Sequence, residues 1–288
     1  MTRRLVPSTG LWMKGVLVRC MSVKRQRRPM LRLQSSACGL THPQKRATGG
    51  EDAWFISGDT VGVADGVGGW ARKGIDSGEY ARTLMTSAEE VVTMADKTPT
   101  PLQVLTVAHR SAQCPGSSTA CIVQLDDLSL RAINLGDSGF ILCRLYLDKI
   151  GGALRWQIVH ETSSQCHYFN CPYQLGFGAN GDEPEMGEVY DLETQEGDVI
   201  VLGTDGLFDN LFSKQIASLL DAVLPSTAEL DLHSMEKVAS CIAHTAHEAA
   251  KCTKMETPFA IAAHQAGYEY RGGKMDDITV VTSLVTSA

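Results

Sequence analysis

Apolar and polar residues alternate along this chain in short bursts, and the bursts come in pairs. AWFIS (53–57) and TVGVAD (60–65) read as two strands joined by a tight turn at Gly58-Asp59. SSTACIVQLD (117–126) and LSLRAINLGD (128–137) form a second pair around Asp126-Asp127. FILCRLY (140–146) and LRWQIVH (154–160) read as further strands. DVIVLGTD (198–205) is apolar enough for burial on both faces, and DITVVTSLV (277–285) is a closing strand. Elsewhere the spacing turns helical: 77–95 behind an Asp76-Ser77 cap, 101–113 with Pro101 near its start, 213–224, 228–252 and a shorter 257–268. Residues 161–187 hold many Gly, Pro and Asn and read as a long surface loop. Hairpin-like strand groups broken by two helical blocks do not fit regular β-α-β alternation. They predict an α+β fold in which two antiparallel β-sheets pack on each other and α-helices flank them.

The 288 residues suit one large domain or two small ones, and a hydrophobic content of 43 % can bury a core. No apolar run approaches the ~20 residues that span a bilayer, so stable membrane insertion is not expected. The net charge of −7 conceals an asymmetry. Residues 1–50 carry eleven Lys and Arg and no acid, while the other 238 hold 15 basic and 33 acidic residues, a net of −18. Such an acidic body repels nucleic acid and attracts cations. The basic segment resembles an organelle transit peptide: Arg-rich, acid-free, with an amphipathic LWMKGVLVRCM (11–21). A nucleic-acid or membrane arm around KRQRR (24–28) is the competing reading. Residues 1–36 are therefore expected to be a leader and 37–288 a catalytic domain, with the mitochondrion as destination and the plastid as alternative. The nine cysteines contain no CxxC pair and sit mostly in apolar runs, as small buried hydrophobes do.

Candidate chemistry lies at the strand ends. Four segments place carboxylates beside β-forming runs: GGEDAWF (49–55), VGVADGVGGW (61–70), VIVLGTDGLFDN (199–210) and KMDDITVV (274–281). A lone Asp-Gly is an ordinary turn, and none of these segments has the spacing of an EF-hand loop. Together, converging carboxylates would be costly without a cation, and oxygen-only donors suit Mg²⁺ or Mn²⁺. Gly66, after Asp65, is expected to let the backbone bend.

In their order these motifs resemble the metal-dependent protein phosphatases of type 2C. The matching segments are Glu51-Asp52, Asp65-Gly66 with Gly68-Gly69, Gly136-Asp137-Ser138, Asp205-Gly206 with Asp209, and Asp276-Asp277-Ile278-Thr279-Val280. The resemblance spans about residues 47–285 and is nearest to the small organellar branch. It implies hydrolysis of phosphoserine and phosphothreonine on protein substrates by water activated between two Mn²⁺ or Mg²⁺ ions, and a monomer is expected. It further implies Asp65 as bridging ligand, Asp205 and Asp276 on one ion, and Glu51 with the Gly66 carbonyl on the other. Asp137 and Asp209 match a weaker third site, and Asp52 and Asp277 match positions that orient the ligands. The alternatives are a binding module of the same fold without turnover, or a dimetal phosphomonoesterase for small molecules.

Two positions depart from the family pattern. Where many relatives carry a histidine proposed as general acid, this chain has Val67, and His167 of CHYFN is the substitute to consider. Where many carry a phosphate-binding Arg four residues before the Glu, this chain has Ala47, with Arg46 or Lys45 adjacent. Ser138 lies in a turn with no His-Asp relay near it in sequence and is not expected to be a nucleophile. Trp54 and Trp70 are read as core or cleft-wall packing, and His244 and His247 as ordinary helix positions.

Overall fold

The computed structural model describes residues 30–147, 152–178, 181–224 and 230–287. In chain order it contains β1 (Leu31–Leu40), β2 (Asp52–Ser57), β3 (Thr60–Asp65), α1 (Ser77–Met94), α2 (Pro101–Ser111), β4 (Ser117–Ser118), β5 (Ala120–Asp126), β6 (Ser129–Leu135), β7 (Gly139–Leu147) and β8 (Leu154–Glu161). There follow β9 (Cys166–Tyr168), β10 (Cys171–Pro172), β11 (Leu175–Gly176), β12 (Glu188–Glu193), β13 (Val199–Gly203), a single helical turn α3 (Asp205–Phe208), α4 (Ser213–Val223), α5 (Leu232–Lys251), α6 (Pro258–Gln265) and β14 (Ile278–Ser287).

Two five-stranded antiparallel sheets, ordered β1-β14-β13-β7-β8 and β12-β6-β5-β3-β2, stack face to face. Strand periodicity decides which side chain goes where. In β13, Ile200 and Leu202 join Val61, Val63, Cys121, Val123, Phe140, Leu142 and Val281 between the sheets. The alternate residues Val199 and Val201 face outward onto Ile216, Leu220, Val238 and Ile242 of α4 and α5. On the far side, Ala53, Ala64, Ile122 and Ile133 meet Tyr80, Leu84, Met85, Val104 and Leu105 of α1 and α2. Central strands covered on both faces read as unbroken apolar runs, which is why β13 stands out in the sequence. The expected α+β sandwich with outer helices is the architecture observed.

Helix starts follow their caps. The Asp76 carboxylate accepts from the Gly78 N–H at 3.0 Å, and Thr100 with Gln103 forms a capping box ahead of Pro101.

Three regions differ from the sequence expectation. The folded chain is already strand at Leu31, inside the segment 1–36 read as leader. Leu31 and Leu33 point into the core, Arg32 pairs with Asp59 at 2.5 Å, and β1 pairs with β14 along its whole length. The rest of that leader lies outside the described residues. β12 is an edge strand whose EVYDLE buries only Tyr190 fully, so its apolar signal is thin. The segment 161–187 is not a bare loop: β9 and β10 make a hairpin, and β11 pairs with β4.

Candidate metal centre

Register brings the acidic turns to one end of the sandwich. Asp52 opens β2 directly opposite Asp65 at the end of β3. Gly203, the last residue of β13, lies between Gly139 of β7 and Val280 of β14. The Asp137 turn, Asp205 and the Asp276-Asp277 pair therefore emerge side by side. The final residue of β1, Leu40, faces Ile278, so the loop to Glu51 crosses the same end.

The two Asp-Gly glycines are required for space. Neither has a positive φ, so bending freedom, the role expected of Gly66, is not what they supply. A Cβ on Gly66 would stand 2.1 Å from the Ser77 carbonyl oxygen, and one on Gly206 would stand 1.9 Å from that of Asp277. These approaches press the start of α1 onto the Asp65 turn and the β14 entry onto the Asp205 turn. The Gly66 N–H donates to the Glu51 carbonyl at 3.0 Å, tying a third turn to the pair.

Asp277, 3 % exposed, organises the loop above: its Oδ1 accepts from the His42 N–H at 2.6 Å and its Oδ2 from the Glu51 N–H at 2.8 Å. The Thr204 hydroxyl donates to Asp52 Oδ2 at 2.8 Å and itself accepts from the Thr279 N–H at 3.1 Å. These contacts fix both carboxylates within the cluster.

Two lysines enter the cluster. Lys45 Nζ pairs with Glu51, with Asp276 at 2.7 Å and with Asp277 at 3.4 Å. Lys274 Nζ pairs with Asp205, with Asp209 at 2.8 Å and with Asp276 at 3.7 Å. Burial alone would lower the pKa of each ammonium, but the surrounding carboxylates, Asp276 foremost for Lys45 and Asp205 for Lys274, raise both. Burial likewise disfavours ionised Asp276, yet Lys274 and Lys45 hold its carboxyl below the usual range.

Asp52, Asp65 and Asp137 behave in the opposite way. Desolvation pushes all three well above the usual carboxylate range, and neighbouring acids push further: Asp205 acts on each, with Asp52 and Asp276 adding to it at Asp65 and Asp209 at Asp137. Asp209 rises to about 7, burial outweighing Lys274. Three carboxylate oxygens, Asp52 Oδ1, Asp137 Oδ1 and Asp205 Oδ1, are buried without a hydrogen-bond partner. Glu51, Asp276 and Asp277 also offer oxygens within 4.8 Å of one another. Orphaned, oxygen-only donors of one sign fit hard divalent cations.

The remaining predicted residues lie elsewhere or are engaged. Arg46 is exposed, whereas its neighbour Lys45 enters the cluster. His167 is half exposed, its Nε2 3.0 Å from Asp182 and its ring 4.4 Å from that of Tyr173. Ser138 is 2 % exposed, its hydroxyl 2.8 Å from that of Thr119. Val67 is half-buried and lines, with Trp70, Lys73, Ser117 and Gln174, an open groove of about 420 Å³ beside Gly66. Trp70 is cleft wall as expected, its Nε1 donating to Ser117 Oγ at 2.7 Å, while Trp54 is 44 % exposed and packs over Gly39. Lys274 was missed by the sequence reading, although its place two residues before Asp276 was a usable signal.

Comparison with models of known protein families finds no match. The chain is 45 % identical over 262 residues to probable protein phosphatase 2C 80 of Arabidopsis thaliana, covering 90 % of this chain and 60 % of that one. With the human protein phosphatase PTC7 homolog it shares 40 % over 261 residues, 84 % of this chain and 81 % of the relative. It spans less than two thirds of its first plant relatives, 60 % of the one above and 53 % of probable protein phosphatase 2C 55. Among solved structures, the photosystem II phosphatase PBCP superposes with a TM-score of 0.77 at 31 % identity, over 89 % of this chain and all of that one. The catalytic domain of serine threonine protein phosphatase PstP, solved in complex with 2 manganese ions, shares the fold at a TM-score of 0.58 and 18 % identity over 89 % of this chain and 100 % of its own.

Proposed function

We propose that this chain, which belongs to the metal-dependent protein phosphatases of type 2C, hydrolyses phosphoserine and phosphothreonine esters on proteins by direct attack of water. The observation that carries the reading is the set of buried, partnerless carboxylate oxygens on Asp52, Asp137 and Asp205 around a desolvated Asp65. Glu51, Asp65, the Gly66 carbonyl, Asp205 and Asp276 would hold two Mn²⁺ or Mg²⁺ ions. The chemistry such ions supply is acidification of water and neutralisation of charge on the phosphoryl oxygens.

The chain's own residues set the rest. Asp277 fixes Glu51 through its backbone N–H, and Thr204 fixes Asp52, so the ligands are held before substrate arrives. Lys45, only 27 % exposed at its side chain and carried on the loop above the cleft, is the cation placed to meet the phosphoryl group. Arg46, the residue first considered for that task, is exposed. Val67 stands at the histidine position and His167 is held by Asp182, so neither of the candidate positions supplies a general acid to the cluster. Direct attack of water requires no phosphoenzyme, and Ser138 is buried on Thr119.

Organelle import fits the acid-free basic segment. The mitochondrion is our first assignment, and the likeness to a photosystem II phosphatase supports the plastid alternative.

The test is release of phosphate from a phosphoserine peptide, a phosphothreonine peptide and small phosphomonoesters in parallel, with Mn²⁺ and with EDTA. Peptide turnover that requires Mn²⁺ supports the proposal. Mn²⁺ binding without turnover would mean a binding module, and turnover confined to small esters would mean a phosphomonoesterase.

A further inference from the structure

The proposed chemistry makes no use of Lys274, yet the fold fixes it firmly. Its backbone N–H donates to Asn210 Oδ1 at 2.9 Å, and its carbonyl accepts from Asn210 Nδ2 at 2.8 Å. Asn210 is 1 % exposed and also holds the Gly206 carbonyl at 2.9 Å, so lysine and Asp-Gly turn are clamped by one amide. The ammonium passes 5.2 Å from the centre of the Phe259 ring before reaching Asp205 and Asp209. Phe259 is itself anchored, its N–H donating to the Asp209 carbonyl at 3.0 Å. Lys45 is held differently, on the loop between β1 and β2, among Glu51, Asp276 and Asp277.

We infer that Lys274 is a built-in counter-ion at Asp205 and Asp209, taking the place beside Asp137 that a further divalent ion would otherwise fill. The inference rests on the reading above that the cleft holds divalent ions. Asp205 meets the ammonium through Oδ2 and keeps a buried, unpartnered Oδ1 for an ion, whereas Asp209 holds the ammonium at hydrogen-bond range with no such buried free oxygen among the described residues. An added ion at Asp209 would also face that fixed positive charge in a poorly screened setting, where repulsion between cations is strong. A tethered ammonium stays beside Asp209 at any metal concentration. The weaker third site that the family pattern places at Asp137 and Asp209 is therefore closed in this chain.

The test is calorimetric titration of Mn²⁺ into the metal-stripped full chain. Lys274→Gln keeps length and removes charge, and it should bind one more ion per chain than the wild type. Lys274→Arg should bind the wild-type number. Asp209→Asn alone should leave the count unchanged, while Asp209→Asn added to Lys274→Gln should remove the extra ion. Equal counts for wild type and Lys274→Gln overturn the inference, as does loss of an ion in Asp209→Asn alone, which still decides the matter if Lys274→Gln does not fold. Wild type that takes up no Mn²⁺ overturns the metal-centre reading and this inference together; wild type that binds Mn²⁺ with no gain in Lys274→Gln overturns this inference only.

Discussion

The acidic end of the sandwich has two halves built from the same residue type. In one half, Glu51, Asp205, Asp209, Asp276 and Asp277 share two lysines supplied by the chain. In the other, Asp52, Asp65 and Asp137 have carboxyls pushed far up by burial and by neighbouring acids, Asp205 acting on each. Acids of the first kind have part of their charge answered by the chain itself, although Asp205 Oδ1 remains unpartnered. Those of the second kind are costly as they stand, and the fold keeps them because a charge from outside completes them. The difference between the halves is thus a map of where the protein needs an exogenous cation.

Substitutions test that map in descending order of effect. Asp205→Asn removes the acid that couples the two halves, and phosphopeptide turnover with Mn²⁺ should fall to the EDTA background while the fold persists by circular dichroism. Gly66→Ala forces a methyl into the Ser77 carbonyl and should cost about 1–3 kcal/mol in chemical denaturation, with activity lost beyond what stability explains. Thr204→Val frees Asp52 Oδ2 and should weaken Mn²⁺ binding about 10- to 100-fold; unchanged affinity would show that Asp52 needs no orientation. Lys45→Met should raise the KM for phosphopeptide more than it lowers kcat, by about tenfold if a charge-assisted contact worth about 1.5 kcal/mol is lost. An effect on kcat alone would place Lys45 with the metal ligands instead.

The smallest effect concerns pH. In the metal-free protein Asp209 stays protonated up to about 7 when folded but ionises near its ordinary 3.8 when unfolded. Between those values the folded state binds more protons, so stability should fall as pH rises from about 4 to about 7 and level off above. A stability that climbs through this window would contradict the desolvated state assigned to these acids.

Much of this was legible in the sequence. The strands of the two sheet centres announce themselves as apolar runs, and the acidic turns as Asp-Gly pairs at their ends. β1 was not legible, because LRLQSSAC buries only alternate residues at a sheet edge and follows a basic stretch that draws the eye to targeting. β12 was missed for the same edge-strand reason. The lysines were hidden differently: Lys45 meets an acid 231 positions away, and no local pattern encodes that meeting. Gly66 was singled out, but for freedom to bend; the need for it, a carbonyl from α1 pressed against it, exists only in three dimensions.

The central claim is that the acidic cluster around Asp65 is completed by divalent ions that drive phosphoester hydrolysis. Its most direct test is phosphate release from a phosphoserine peptide during Mn²⁺ titration, comparing wild type with Asp65→Asn. The account predicts turnover that rises with Mn²⁺ in the wild type, returns to zero with EDTA and never appears in Asp65→Asn. Turnover indifferent to EDTA, or equal in the two proteins, would contradict it.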